Sequence, residues 1–72
     1  MTSHARRLAD AGRSRIYART TGRFATEAQI MEGVTRPAAL AAYHRALQDA
    51  AASGRVDMRI DDDGMAHYRL VQ

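Results

Sequence analysis

The sequence contains no cysteine, no lysine and no tryptophan, and only one phenylalanine and one proline. Without cysteine, the chain can form no disulfide and offers no thiolate as a nucleophile or metal ligand. Its three histidines, His4, His44 and His67, lie far apart without the spacing of metal ligands. The serines stand in no catalytic pattern with histidine and aspartate, and no glycine-rich phosphate loop occurs. The residues therefore predict a protein that is not an enzyme and has no cofactor or metal site.

Long apolar runs are also missing. No stretch approaches the ~20 apolar residues that span a bilayer, and no signal-peptide core follows the N-terminus. We therefore expect a cytoplasmic protein without membrane contact. The 72 residues suffice for one domain, residues 1–72, with a small core and marginal stability.

The basic residues are unevenly distributed. Residues 1–36 hold seven arginines against three acidic residues, a net charge of +4, whereas residues 37–72 hold four arginines against five aspartates, a net charge of −1. The use of arginine alone fits codon bias in a GC-rich genome, which the abundance of alanine supports. The asymmetry favours a polyanionic partner, although a solvated basic face would give the same pattern.

Two helices are predicted in the first half of the chain. The segment from Ser3, a suitable N-cap, to about Arg19 forms either one helix or two pieces divided at Gly12, because glycine costs ~1 kcal/mol within a helix. A short extended stretch follows, and we place its Phe24 in the core. The capping box at residues 26–29 then begins a second helix, which ends before Gly33.

The third helix has the clearest sequence signals. Thr35 is the expected N-cap, with Pro37 in the first turn, where a missing N–H costs nothing. Residues at helical spacing should face the core, namely Leu40, Tyr43, Leu47, Ala50 and Ala51. The helix should end at residues 53–54.

The last third predicts a β-hairpin, because apolar and polar residues alternate on both sides of residues 61–64. A two-residue loop would pair Ile60 with His67 and mix the two faces. A three-residue loop pairs Ile60 with Ala66 and puts all apolar residues on one face. Gly64 supplies the positive φ that such a loop needs, so we prefer the three-residue loop with a bulge.

These elements follow the order helix, short strand, helix, helix, hairpin. The most characteristic pieces are Phe24-Ala25-Thr26, Gly33-Val34-Thr35-Arg36, Leu40 and Leu47, Gly54-Arg55-Val56, and Gly64 with Tyr68-Arg69-Leu70. Over about residues 14–71 the chain resembles the winged helix-turn-helix family. The resemblance implies an α+β fold with three helices and a C-terminal β-hairpin wing. Residues 1–12 lie outside this unit and are the candidate N-terminal extension or dimerisation segment.

The resemblance implies binding of double-stranded DNA, with the third helix in the major groove. Carried onto this chain, groove-facing positions are Thr35, Arg36, Ala38, Ala39, Ala42 and Arg45. Arg36 would read guanine, with Gln48 as a further reader. The phosphate contacts would be Arg15, Arg19 and Arg23, with Arg59 from the wing.

The aspartates at residues 61–63 depart from this pattern, because phosphates would repel a wing tip so charged. The leading expectation is a small DNA-binding regulator, acting as a homodimer and originating from a phage or mobile element. The alternative is a winged-helix module that binds a protein partner, as an antirepressor or an inhibitor of a host or defence protein. The acidic wing tip and the alanine-rich third helix suit that alternative.

Overall fold

A computed structural model describes residues 3–71, with side chains from residue 4 onward. Over these residues the chain is a small α+β domain with three helices and a three-stranded antiparallel sheet. In chain order, the elements are α1 (Ser3–Thr20), β1 (Ala25–Thr26), α2 (Glu27–Ile30), α3 (Pro37–Ala52), β2 (Val56–Ile60) and β3 (Ala66–Leu70). The cap predicted at Ser3 lies outside the described side chains. Within the described part, no helix combines the length and the apolar character needed to cross a bilayer.

Gly12 does not divide the first helix, because α1 is continuous from Ser3–Thr20. Gly12 is buried against α3, and a Cβ at this position would lie 2.8 Å from Cδ1 of Tyr43 and 3.3 Å from Cβ of Ala46. The glycine therefore lets the two helix backbones approach closely. Residues 3–12, the described part of the candidate extension, form the first half of this helix.

The predicted capping box begins α2. The Thr26 hydroxyl accepts a hydrogen bond from the Gln29 backbone N–H at 3.2 Å, and the Gln29 side chain accepts one from the Thr26 N–H at 2.9 Å. These bonds satisfy amides that the first turn of a helix leaves unpaired. Gly33 follows with φ of +85°, which turns the chain toward α3.

The predicted N-cap of α3 is wrong. Arg36, not Thr35, is the N-cap, and Pro37 is the first helical residue. The proline ring disfavours helical backbone at the residue before it, and Arg36 accordingly has φ −74° and ψ 126°. Thr35 is therefore one residue too early to cap, and the side chain of Arg36 forms no capping hydrogen bond.

The observed hairpin register is the one predicted from the requirement that all apolar residues of the hairpin share one face. Ile60 pairs with Ala66, Met58 with Tyr68 and Val56 with Leu70. Gly64 has φ of +82°, and its N–H donates to the carbonyl of Asp61 at 3.0 Å. β3 is the central strand, because β1 pairs with its other side through Ala25 and Tyr68.

The three helices share one core with the inner face of the sheet. Its buried members are Ile16, Ala25, Ile30, Met31, Ala46, Leu47, Ala50, Val56 and Tyr68. Four predicted core residues are not among them. Leu40 is 37% exposed and Phe24 is only half-buried, whereas Tyr43 and Ala51 are partly buried and pack against the core. Met58 and Ile60 share the inner face with Tyr68 but remain 56% and 54% exposed, whereas Val56 at the start of the same strand is buried. The strand β2 is one of the two edge strands of the described sheet.

Candidate nucleic-acid interface

The exposed side of α3 lies opposite a narrow buried stripe. Ala39, Ala46, Leu47 and Ala50 form that stripe, and it packs toward α1 and the sheet. At 100° per residue, the opposite side of the helix carries Ala38, Ala41, Arg45 and Gln48, all exposed. We call these four residues the α3 face. Thr35 and Arg36 are exposed immediately before the helix, at its N-terminal end.

Two predicted groove-facing alanines do not belong to the α3 face. Ala39 is 7% exposed and lies in the buried stripe, so no groove-facing role remains for it. Ala42 is half-buried and lines the groove between α1 and α3, which the exposed residues Ala41 and Arg45 also border. Ala41 occupies the exposed position instead. A helical projection anchored on Leu47 and Ala50 would have identified Ala41.

Arg36, the N-cap of α3, and Arg45, within the helix, are both exposed to solvent. Neither Arg36 nor Arg45 forms an ion pair or a side-chain hydrogen bond with any residue from 4 to 71. Arg45 lies nine positions after Arg36, which corresponds to roughly 13 Å along a helix axis. Alanines lie between the two, so a ligand could approach this backbone closely.

The side chain of Arg15 forms hydrogen bonds within the fold. Its Nε donates to the carbonyl of Ile30 at 2.7 Å, and its Nη2 donates to the carbonyl of Glu32. These carbonyls belong to the end of α2 and the following turn, where a short helix leaves acceptors unpaired. Arg15 therefore fixes α1 to the turn that precedes α3, and its guanidinium is largely engaged within the fold.

Arg19 and Arg23 border a separate open cleft. The cleft lies between the end of α1, Phe24 and the α2–α3 turn, where Glu32 and Gly33 also line it. Arg23 is exposed, and its Nε donates to the carbonyl of Arg19 at 3.4 Å. The cleft thus places two cationic side chains beside the turn that leads into α3.

Arg59 lies on the other side of the sheet. Its guanidinium carbon lies 4.7 Å from the centroid of the Phe24 ring, and that of Arg69 lies 4.5 Å from the same centroid. Such stacking accounts for the half-burial of Phe24, since the ring is covered by two long side chains rather than by the core. We call these three residues the Phe24 cluster. The helices pack on the opposite face, so Arg59 and α3 do not share one surface.

The prediction that placed Phe24 in the core is wrong, and the contact of Arg69 with its ring was not predicted. The alternation of side chains along the hairpin did put Arg59 and Arg69 on the same face. No comparable pattern in the sequence indicates that Phe24 belongs to that face, because its strand comprises only Ala25–Thr26.

The acidic hairpin tip is organised by Asp61. One carboxylate oxygen accepts from the amides of Asp63 and Met65, both at 2.9 Å, and the other lies 2.7 Å from Nε2 of His67. The hydrogen bond with His67 and the Met65 amide lower the pKa of Asp61 below its usual value. The aspartate therefore acts as a turn residue.

His44 is similarly engaged, with its Nδ1 lying 2.8 Å from Oε2 of Glu27, which ties α3 to α2. Within residues 3–71, no group of three or more histidine, aspartate or glutamate side chains is placed to hold a metal ion.

Comparison with known proteins found no matching family model, no matching curated protein and no matching solved structure.

Proposed function

We propose that this chain is a winged-helix protein that binds double-stranded DNA and inserts α3 into the major groove. The observation that carries the proposal is the α3 face, with an exposed arginine before its first turn and another in its middle. The roughly 13 Å between them spans about four base pairs at 3.4 Å each. Arg36 is suited to bidentate hydrogen bonding with guanine, whereas Ala38 and Ala41 allow close contact with the groove.

The order and pairing of the elements support the same proposal. A helix, a short strand, two helices and a hairpin follow one another, and the short strand pairs with the last strand. Arg19 and Arg23 lie beside the turn before α3, where they could neutralise phosphates flanking the groove. Arg15 supports the turn, and Arg59 lies on the far side of the sheet, so neither is needed for this contact.

The test is the binding of random duplex DNA by fluorescence anisotropy at several salt concentrations. Four arginines, at positions 19, 23, 36 and 45, are available for phosphates or bases, so the slope of log K against log[salt] should lie between about −2 and −4. Absence of binding by the folded protein at about 50 mM salt would refute the proposal.

Substitutions at and within α3 test whether this helix forms the DNA contact. Arg36→Ala and Arg45→Ala should each weaken binding by about 1–3 kcal/mol for a base contact, or reduce the salt slope by about 1 for a phosphate contact. Arg7→Ala removes the same charge from an exposed position near the start of α1 and should leave affinity nearly unchanged. Equal losses in all three variants would indicate a nonspecific charge effect and contradict the placement of α3.

One set of observations favours the alternative function, a module that binds another protein. Met58, Ile60 and Met65 expose more than half of their surface around an acidic hairpin tip. Exposed apolar residues rimmed by charge are typical of protein contact sites. This function would be preferred if DNA binding proved absent, or if it persisted unchanged in both α3 variants.

A further inference from the structure

We propose that the free edge of β2 pairs with the β2 strand of a second copy of this chain, in antiparallel orientation and centred on Met58. This contact would join two three-stranded sheets into one continuous sheet. The inference concerns the hairpin alone and is independent of DNA binding by α3.

The first observation is the direction of the backbone groups. At the two ends of the β2–β3 ladder, the N–H of Val71 donates to the carbonyl of Arg55, and the N–H of Asp61 donates to the carbonyl of Met65, both at 2.9 Å. Antiparallel hydrogen bonding alternates along a strand. The N–H and C=O groups of Val56, Met58 and Ile60 therefore point away from β3, toward the edge, where no described residue pairs with them.

The second observation is apolar exposure. Met58 and Ile60 remain more than half exposed on the inner face, although they lie in register with Tyr68 and Ala66. Pairing about Met58 would place the two Met58 side chains side by side, with each Ile60 next to the partner's Val56. Apolar surface that α3 leaves uncovered would then be removed from water.

The third observation, the charge pattern, selects the partner and the register. β2 reads apolar, acidic, apolar, basic, apolar, and this pattern is self-complementary when the strand is reversed. In the Met58-centred register, Asp57 lies opposite the partner's Arg59 on both sides of the two-fold axis. A shift of the axis by one residue would set Asp57 against Asp57 or Arg59 against Arg59, which is unfavourable.

The hydrogen-bond phase fits the same register. Residues 56, 58 and 60 all direct their backbone toward the edge, so each of the pairs 56–60, 58–58 and 60–56 can exchange two hydrogen bonds. The guanidinium of Arg59 lies over Phe24 in the single chain and must turn toward the edge, while Arg69 can continue to cover the ring. Because β2 has five residues, the buried area should fall below the about 1,200 Å² of stable interfaces, and the dimer should be weak.

The test uses sedimentation equilibrium of the full chain between about 10 µM and 1 mM. The wild type should associate increasingly over this range. Asp57→Arg and Arg59→Asp should each lower the association constant at least about tenfold, because like charges then face each other on both sides of the axis. An equimolar mixture of the two variants should regain association. In the mixed dimer one chain carries arginine at both positions and the other carries aspartate at both, so opposite charges face each other again.

Asp62→Arg makes the same charge change as Asp57→Arg at the exposed tip and should leave association unchanged. A wild type that stays monomeric at about 1 mM, or a mixture of folded variants that stays monomeric, would overturn the proposal.

A measurement on the wild type alone covers the case in which a variant does not fold. Amide hydrogen exchange at Val56, Met58 and Ile60 should slow as protein concentration rises, because only the dimer gives these N–H groups partners. Exchange at these residues that does not depend on concentration over the same range would overturn the proposal.

Discussion

Replacing Gly12 with alanine sets two effects against each other. In an isolated helix the change would stabilise α1 by about 1 kcal/mol, because alanine is the better helix former. Here the added Cβ would lie 2.8 Å from Cδ1 of Tyr43 and 3.3 Å from Cβ of Ala46. Overpacking of a core typically costs about 1–3 kcal/mol. We therefore expect a net loss of about 1 kcal/mol, because the added Cβ would meet the ring near its base and would also lie 3.4 Å from the Cα of Tyr43.

For a domain of this size, that loss should lower Tm by roughly 4–8 °C. Thermal and urea unfolding followed by circular dichroism would measure it. Ala11→Gly, at an exposed neighbouring position in α1, gives the propensity contribution alone and should cost about 1 kcal/mol.

A double-mutant cycle identifies the cause. In a Tyr43→Ala background the ring is absent, so Gly12→Ala should become neutral or stabilising by up to about 1 kcal/mol. If Gly12→Ala raises Tm in the wild-type background, the close approach of α1 and α3 is not as described and the reasoning fails.

Further predictions concern the cap, the core and the hairpin tip. Thr26→Ala removes a capping-box hydroxyl and should cost about 1 kcal/mol in urea unfolding, whereas Thr35→Ala, which removes no cap, should stay within about 0.5 kcal/mol; equal losses would contradict the assigned caps. Leu47→Ala empties a fully buried site and should cost about 2–5 kcal/mol, so a variant unfolding at the wild-type urea midpoint would contradict its burial. Because the folded pKa of Asp61 is lowered, its carboxylate stabilises the hairpin above the ordinary carboxyl range, and this contribution is lost as pH falls through the lower folded pKa. An NMR titration should place the pKa of Asp61 in the folded protein below that in a denatured reference, and an equal pKa would refute this. In Asp61→Asn, the loss of hairpin stability that acid causes around His67 in the wild type should be absent.

The hairpin register could be predicted because it depends on one strong constraint. A shift of one residue moves every side chain to the other face, and only one loop length keeps Ile60, Met58 and Val56 together. The capping box was equally accessible, because its two hydrogen bonds are local to Thr26 and Gln29. Patterns of this kind can be predicted because all the residues that decide them lie close together in the sequence.

The predictions fail where the environment of a residue depends on a contact with a residue that is distant in the sequence. From the sequence, Gly12 is expected to destabilise the helix, and only its contact with Tyr43 explains why glycine occupies this position. Phe24 reads as core because it is the only phenylalanine, yet Arg59 and Arg69 cover its ring from neighbouring strands. Hydrophobicity indicates that such a ring must be covered. It does not indicate whether apolar side chains or the stems of arginines will cover it.

The arginines of the candidate interface also show that a role cannot be predicted when it depends on distant contacts. The sequence places an arginine excess in residues 1–36, but charge counts do not assign tasks. Arg15 stabilises the α2–α3 turn, whereas Arg19 and Arg23 border a cleft beside that turn. Arg36 is held extended by the following proline and stays exposed. The basic half of the chain thus contributes both to the support of α3 and to the surface beside it. We expect Arg15→Ala to weaken the proposed DNA binding by displacing α3 rather than by removing a phosphate contact.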